Sequence, residues 1–265
     1  MERIEKGREF YDVAGITYRK GELVKENPPR PLISNLDDLP YPAYDLLPME
    51  KYVVEGIRFA AIMTSRGCPY NCIFCSSSLQ FGKKWRAHSV KRVIDELKLL
   101  VEKFKVKEIE FLDDTFTLNM KRAIEIAKNI VKEKLEISWS ASSRVNTFNR
   151  EVGEAIHRAG AHTVYFGIES GSERTLKFIG KGISKRQAID AVKAAKDSKL
   201  NALGSFIIGF PYETEEEIRE TIRFANKVGV DLAQFTVATP YPGTRLWQIA
   251  VENNLLLTRN WRKYT

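Results

Sequence analysis

Three cysteines occur in the chain, and all of them fall in Cys68-Pro69-Tyr70-Asn71-Cys72-Ile73-Phe74-Cys75. Thiolate is the soft ligand that zinc and iron–sulfur clusters take. A cubane cluster normally uses four thiolates, one per iron. The C-x-x-x-C-x-x-C spacing with no fourth cysteine leaves one iron without a protein thiolate. An open coordination position marks a catalytic metal centre, whereas structural centres are closed. Two other chemistries stay open to the same residues. Zinc could take the three cysteines and His88, although structural zinc ligands more often come as two separated pairs. A disulfide would strand an odd thiol, and nothing in the chain looks secreted.

The loop resembles that of the radical S-adenosylmethionine (radical SAM) superfamily, and Phe74, an aromatic just before the third cysteine, fits it too. The resemblance implies a 4Fe–4S cluster on Cys68, Cys72 and Cys75, with the fourth iron chelated by the amino and carboxylate groups of SAM. It implies roles downstream as well. Asp113 and Asp114, in Leu112-Asp113-Asp114-Thr115, stand where relatives bind the methionyl ammonium, which suits a carboxylate. Glu169, in Gly167-Ile168-Glu169-Ser170-Gly171, is the expected ribose ligand. Lys181 matches a basic position that pairs with the SAM carboxylate, and Ser142 and Arg144 are within reach of ribose or carboxylate. Gly209, Phe210 and Pro211 resemble the motif that lies against adenine, as does the loop around Tyr241. Plainer readings exist for several: an Asp-Asp turn capping a helix, a solvated lysine, a serine-rich turn. No catalytic acid or base is singled out. His157 and His162 read as surface or packing residues, and the facing of Tyr165 is left open.

These residues sit at the ends of short apolar runs, so the runs must position them. The runs are Phe59–Thr64, Glu108–Leu112, Ile137–Ala141, Thr163–Ile168, Leu203–Ile208 and Leu232–Val237. Most are rich in β-branched or aromatic residues, as buried parallel strands are. Between them Ser89–Phe104, Met120–Leu135, Arg150–Ala159, Ser184–Lys199 and Thr214–Val228 have helical periodicity. Ser89 and Thr214 are expected N-caps, and Gly160 and Gly229 expected C-terminal stops. Alternating strands and helices predict an α/β fold with a parallel sheet. A doubly wound sheet is the alternative. Site residues at the C-terminal ends of runs favour a barrel, and the resemblance implies a partial (β/α)6 barrel of the radical SAM type, spanning about residues 58–250.

Residues 1–57 read as an irregular, proline-rich N-terminal remnant and linker, with a hairpin turning near Lys20-Gly21. Asn35-Leu36-Asp37-Asp38-Leu39-Pro40-Tyr41-Pro42 resembles the segment that joins a cobalamin-binding domain to the barrel in one large radical SAM subfamily. The cobalamin domain itself is expected to be missing, because no Asp-x-His-x-x-Gly occurs. Cobalamin is then expected only from a missing domain or a partner chain. Residues 251–265 read as a curtailed tail.

With 43% hydrophobic and 29% charged residues the composition is that of a soluble globular protein. No apolar run nears the ~18 residues of a membrane span, and Met1-Glu2-Arg3-Ile4 opens no signal peptide. A reducing, cytoplasmic setting is the expectation. The net charge of +8 leaves nucleic acid open, yet most basic residues lie beside acids on helices. The tightest basic group, Lys83-Lys84-Trp85-Arg86, flanks the cysteine loop and suits an anionic partner or substrate.

The implied reaction is one-electron cleavage of SAM to methionine and a 5′-deoxyadenosyl radical, which abstracts hydrogen from a carbon. Methylation of an unactivated carbon would be one outcome. A reductant such as ferredoxin or flavodoxin is implied, and the substrate is not readable. Two rival readings are an RNA-modifying methylthiotransferase and a non-catalytic iron–sulfur or zinc module. The first lacks its usual extra cysteines here, and SAM binding would set the second apart.

Overall fold

Each apolar run becomes a strand of one sheet: β1 (Ile57–Ile62), β2 (Glu108–Phe111), β3 (Ser138–Ser143), β4 (Ala161–Glu169), β5 (Asn201–Ile208) and β6 (Leu232–Val237). They lie in sequence order, and each neighbouring pair is parallel. A seventh strand, Val53–Val54, pairs antiparallel with β1 at the outer edge. The longer helices, of eight residues or more, are α1 (Val90–Glu102), α2 (Met120–Lys132), α3 (Arg150–Arg158), α4 (Lys185–Asp197), α5 (Glu215–Val228) and α6 (Arg245–Glu252). Consecutive helices from α1 to α5 pack on one another, so they cover one face. A doubly wound sheet reverses its strand order and carries helices on both faces. Among the described residues neither occurs, and the fold is the open, singly wound partial barrel. The structure, a computed structural model, describes residues 2–264.

The two faces of the sheet differ in chemistry because side chains alternate along a strand. In β4, Val164, Phe166 and Ile168 are buried beneath the helices, while Tyr165 and Gly167 face the other way and are half-buried. Beneath the helices Trp139 is fully buried, with Phe111 at 4.9 Å and Phe116 at 5.5 Å between ring centroids. Its indole N–H donates to the Ala159 carbonyl at 2.8 Å. Gly160 must be glycine: its φ is +92°, and a Cβ would stand 2.1 Å from the Ile137 oxygen. Ser89 and Thr214 cap α1 and α5 as expected, and Gly229 ends α5 in the left-handed conformation.

The N-terminal part divides differently from the sequence reading. The two compact units meet between Ser34 and Asn35, not at residue 57. The first carries the expected hairpin, Thr17–Lys20 with Leu23–Glu26. Residues 35–57 belong to the second unit, where Leu36 is fully buried and the Tyr44 hydroxyl donates to Glu96 at 2.6 Å. Their short 3₁₀ turns at Leu36–Asp38, Tyr44–Leu46 and Met49–Lys51 give the prolines between them a folded context. At the other end α6 runs through the expected boundary at residue 250. Met1 and Thr265 of the expected end segments lie outside the described residues. No helix among the described residues is long and apolar enough to cross a membrane.

Candidate cluster and cofactor site

The cysteine loop follows β1 at the C-terminal end of the sheet, where barrels of this class place their chemistry. Cys68, Cys72 and Cys75 are free and half-buried. Three backbone contacts hold the loop. Cys68 N–H donates to Gly82 O at 3.3 Å, Ile73 N–H to Ile179 O at 3.0 Å, and Leu246 N–H at the start of α6 to Ile73 O at 2.9 Å. Burial pushes the Cys68 and Cys75 thiols up, and the nearby Asp114 carboxylate adds to both shifts. Loading iron would therefore release their protons. Among the described residues no group of three or more His, Cys, Asp and Glu side chains converges on a single metal-ion position. His88 turns to Asp37, 3.1 Å from its Nδ1, rather than toward the thiols.

The root of the loop is held by a buried network that the sequence reading missed. The Asp113 carboxylate accepts from Thr64 N–H at 3.2 Å, Thr64 Oγ1 at 3.0 Å and Ser65 Oγ. It is 2% exposed, and burial pushes its carboxyl up against the pull of these donors and of Arg122. Arg122, also buried, donates to Thr64 Oγ1, Thr64 O and His88 O. Asp113 was expected to meet the SAM ammonium, but both its oxygens are spent on positioning the cysteine loop. Asp114 is exposed and electrostatically coupled to Cys68 and Cys75. Of the two acids it alone faces the sulfurs. Alternation past the end of β2 separates them, a detail that the bare Asp-Asp pair does not reveal.

Arg144 crosses over the loop from the end of β3. Its guanidinium stacks on Tyr70, 3.6 Å from the ring centroid, and lies 3.8 Å from Cys72 Sγ. It also donates to the Lys181 carbonyl. Lys181 Nζ in turn meets Glu169 Oε1 at 2.6 Å, with both side chains under a tenth exposed. The sequence reading gave these two residues separate ligands; the structure pairs them. Gly167 makes this possible, since a Cβ there would stand 2.6 Å from Glu169 Oε1 and 2.7 Å from Lys181 Nζ. Glu169 adopts φ +69°, the sparsely populated backbone region that clusters at functional sites. Ser142, opposite Tyr165 in register, is half-buried on the same face.

The motifs expected beside adenine divide in two. Phe210 is 3% exposed and packs against Phe74, with ring centroids 5.8 Å apart, in a small core shared with Leu176, Ile179 and Leu246. It supports the loop and, together with Pro211, lines a pocket of about 510 Å³. Gly209 turns with φ +83°, and its N–H donates to Glu213 at 2.6 Å. Tyr241 is exposed and its carbonyl accepts from Thr244. Glu213, which fastens the Gly209–Phe210 turn, was not singled out from sequence; an acid four residues past the glycine was its only signal.

The donor set fits the implied group. Three free thiols share one loop, a buried guanidinium stands beside one sulfur, and a buried Lys–Glu pair with an exposed acid completes the same end of the sheet. The family model for the radical SAM superfamily matches residues 62–225, and the chain belongs to that superfamily. It is 63% identical, over its whole length, to 58% of an uncharacterized methyltransferase of Pyrococcus horikoshii. It is 30% identical to the anaerobic magnesium-protoporphyrin IX monomethyl ester cyclase of Rubrivivax gelatinosus, over 92% of this chain and 45% of that protein. The radical S-adenosylmethionine methyltransferase TsrM from Kitasatospora setae, solved with cobalamin and a [4Fe–4S] cluster bound, matches with a TM-score of 0.76 and 16% identity, over 95% of this chain and 51% of that one. The chain thus spans about half the length of the relatives it matches.

Proposed function

We propose that this chain is the cluster- and SAM-binding core of a radical SAM methyltransferase. The observation that carries the reading is the three-thiol loop at the C-terminal end of the sheet, overlaid by Arg144 and faced by the Glu169–Lys181 pair. When bound, the cluster and SAM supply one-electron chemistry and a carbon-centred oxidant; the protein supplies position and electrostatics. In our reading Cys68, Cys72 and Cys75 hold iron, and Asp114 receives the SAM ammonium. Among the described residues only Oε1 of Glu169 is engaged, which leaves Oε2 to accept from ribose hydroxyls. Lys181 holds Glu169 in place through their ion pair and lends its charge to the SAM carboxylate. Ser142, Gly209, Pro211 and Tyr241 complete the rim, and Phe74 is backed by Phe210. No residue here is assigned to cobalamin. The methyltransferase names of two relatives favour methyl transfer as the outcome.

Anaerobic reconstitution tests the reading in two arms. Cys72→Ala should lose most of the roughly four irons of one cubane. Glu169→Gln, chosen because it keeps a partner for the buried Lys181, should retain the iron but weaken SAM binding by roughly 1.5–3 kcal/mol, the worth of a charged hydrogen bond. Full iron retention in the first variant, or unchanged SAM affinity in the second, would overturn the corresponding assignment.

A further inference from the structure

A cluster that spends one electron per turnover must be refilled from outside, and the cysteine loop has an outer side. Resting on the cluster reading above, we infer that the turn Gly82–Lys84 and the adjoining start of α6 form the docking surface for an acidic, low-potential one-electron carrier protein. The turn is locked to the loop. Gly67 has φ +89°, and a Cβ there would stand 2.5 Å from Lys84 O and 2.9 Å from Gly82 O. Cys68 N–H donates to Gly82 O. Buried Arg86 donates to Phe81 O at 2.6 Å and Lys84 O at 3.3 Å, so this third basic residue serves the backbone. The two lysines that follow Gly82 are therefore fixed within one layer of chain from a cluster ligand.

Their charge is uncommitted. Lys83 and Lys84 are exposed, and among the described residues neither has an ion-pair partner. Some other cations are paired, as exposed Lys91 is with Asp95 and half-buried Lys98 and Lys185 are with Glu133 and Glu220. Beside Lys83 a pocket of about 370 Å³ reaches Cys72 and Cys75 and is walled by Ser78, Leu79 and Arg245. Leu79 is 56% exposed, which gives the cationic rim an apolar centre. The lining contains neither Asp114, Arg144 nor Glu169. A small apolar contact ringed by one sign of charge suits a transient redox encounter, which needs little area and gains its rate from electrostatic steering. One electron leaves the carrier and enters the cluster; no atom or proton is transferred.

The test is stopped-flow reduction of the reconstituted protein, followed by bleaching of the cluster absorbance. A reduced acidic ferredoxin and reduced methyl viologen, a small cation, are the two probes. Lys83→Glu with Lys84→Glu should slow reduction by ferredoxin at least tenfold at low salt and flatten its salt dependence. Iron content and the viologen rate should not fall. The milder Lys83→Gln with Lys84→Gln pair should lie between. Equal ferredoxin rates in wild type and charge-reversed protein would overturn the docking surface while leaving the cluster in place. A wild-type chain that takes up no iron would overturn the cluster reading and this inference with it, and the iron count shows that before any rate is measured.

Discussion

Arg144 concentrates three duties in one side chain. Its planar guanidinium stacks on Tyr70, approaches Cys72 Sγ and donates to the Lys181 carbonyl, a combination that lysine cannot reproduce. A buried positive charge beside a thiolate favours the more negative, reduced state of a bound cluster, and hydrogen bonds to sulfur act in the same direction. Arg144→Gln should therefore shift the cluster to a more negative reduction potential in an anaerobic titration monitored by electron paramagnetic resonance. An unchanged potential would reduce Arg144 to a packing residue. The sequence brought out Arg144 as a ligand for SAM, and only the fold reveals its approach to the sulfur. Glu169 and Lys181, twelve positions apart, were read as independent for the same reason. Contact between residues on different elements is not written in spacing along one strand.

At the scale of elements, capping is where local sequence and tertiary structure agree most closely. Thr214 accepts from Glu217 N–H, and the Glu217 carboxylate accepts from Thr214 N–H at 2.9 Å, closing the capping box of α5. The same carboxylate also accepts from Ser172 Oγ at 2.9 Å and Arg174 Nε at 2.7 Å. Arg174, first among the causes, holds its carboxyl well below the usual glutamate range, with the cap donors adding to the shift. A lowered folded-state value means stability that is present above the ordinary glutamate value and is lost as pH falls toward the lowered one. Because Arg174 is largely exposed, its ion pair is screened and the cap bonds carry most of the effect. Glu217→Gln should cost about 1–2 kcal/mol at neutral pH and lose less further stability than wild type between about pH 5 and pH 3. Urea titrations at the two pH values check this, and parallel losses would contradict it. The runs and caps that define β1 to β6 and α1 to α5 were legible because burial in a parallel sheet demands continuous apolar runs. Val53–Val54 was not, since two residues carry no period. The burial of Asp113 and Phe210 was not legible, because a short motif does not tell which of its residues turns inward.

For the whole molecule, the net charge of +8 matters less than where it stands, and two exposed lysines stand on the turn that is hydrogen-bonded to the cluster loop. The same separation of structural from functional duties decides how much of the N-terminal segment the site needs. Every residue assigned to the site lies after Asn35, and so do the groups that brace it. Asp37 accepts from Ser89 N–H at 3.0 Å and faces His88, whose carbonyl anchors Arg122. Tyr44 satisfies Glu96, which Arg92 also meets at 3.0 Å. Leu36 and Met49 fill the core. Removing residues 35–57 would strip the Asp37 contact from the N-terminus of α1, leave Glu96 without its hydroxyl donor and empty several large buried positions. Large core deletions cost about 2–5 kcal/mol each, a sizeable share of a domain's whole stability of roughly 5–15 kcal/mol. Deleting residues 1–34 removes none of this. The shorter truncation should keep iron content, SAM affinity and melting temperature close to those of the full chain, whereas truncation to residue 58 should give protein that melts far lower or fails to load iron. Circular dichroism melts beside iron assays distinguish the two. Equal behaviour of both truncations would show that residues 35–57 only drape over the barrel as a linker.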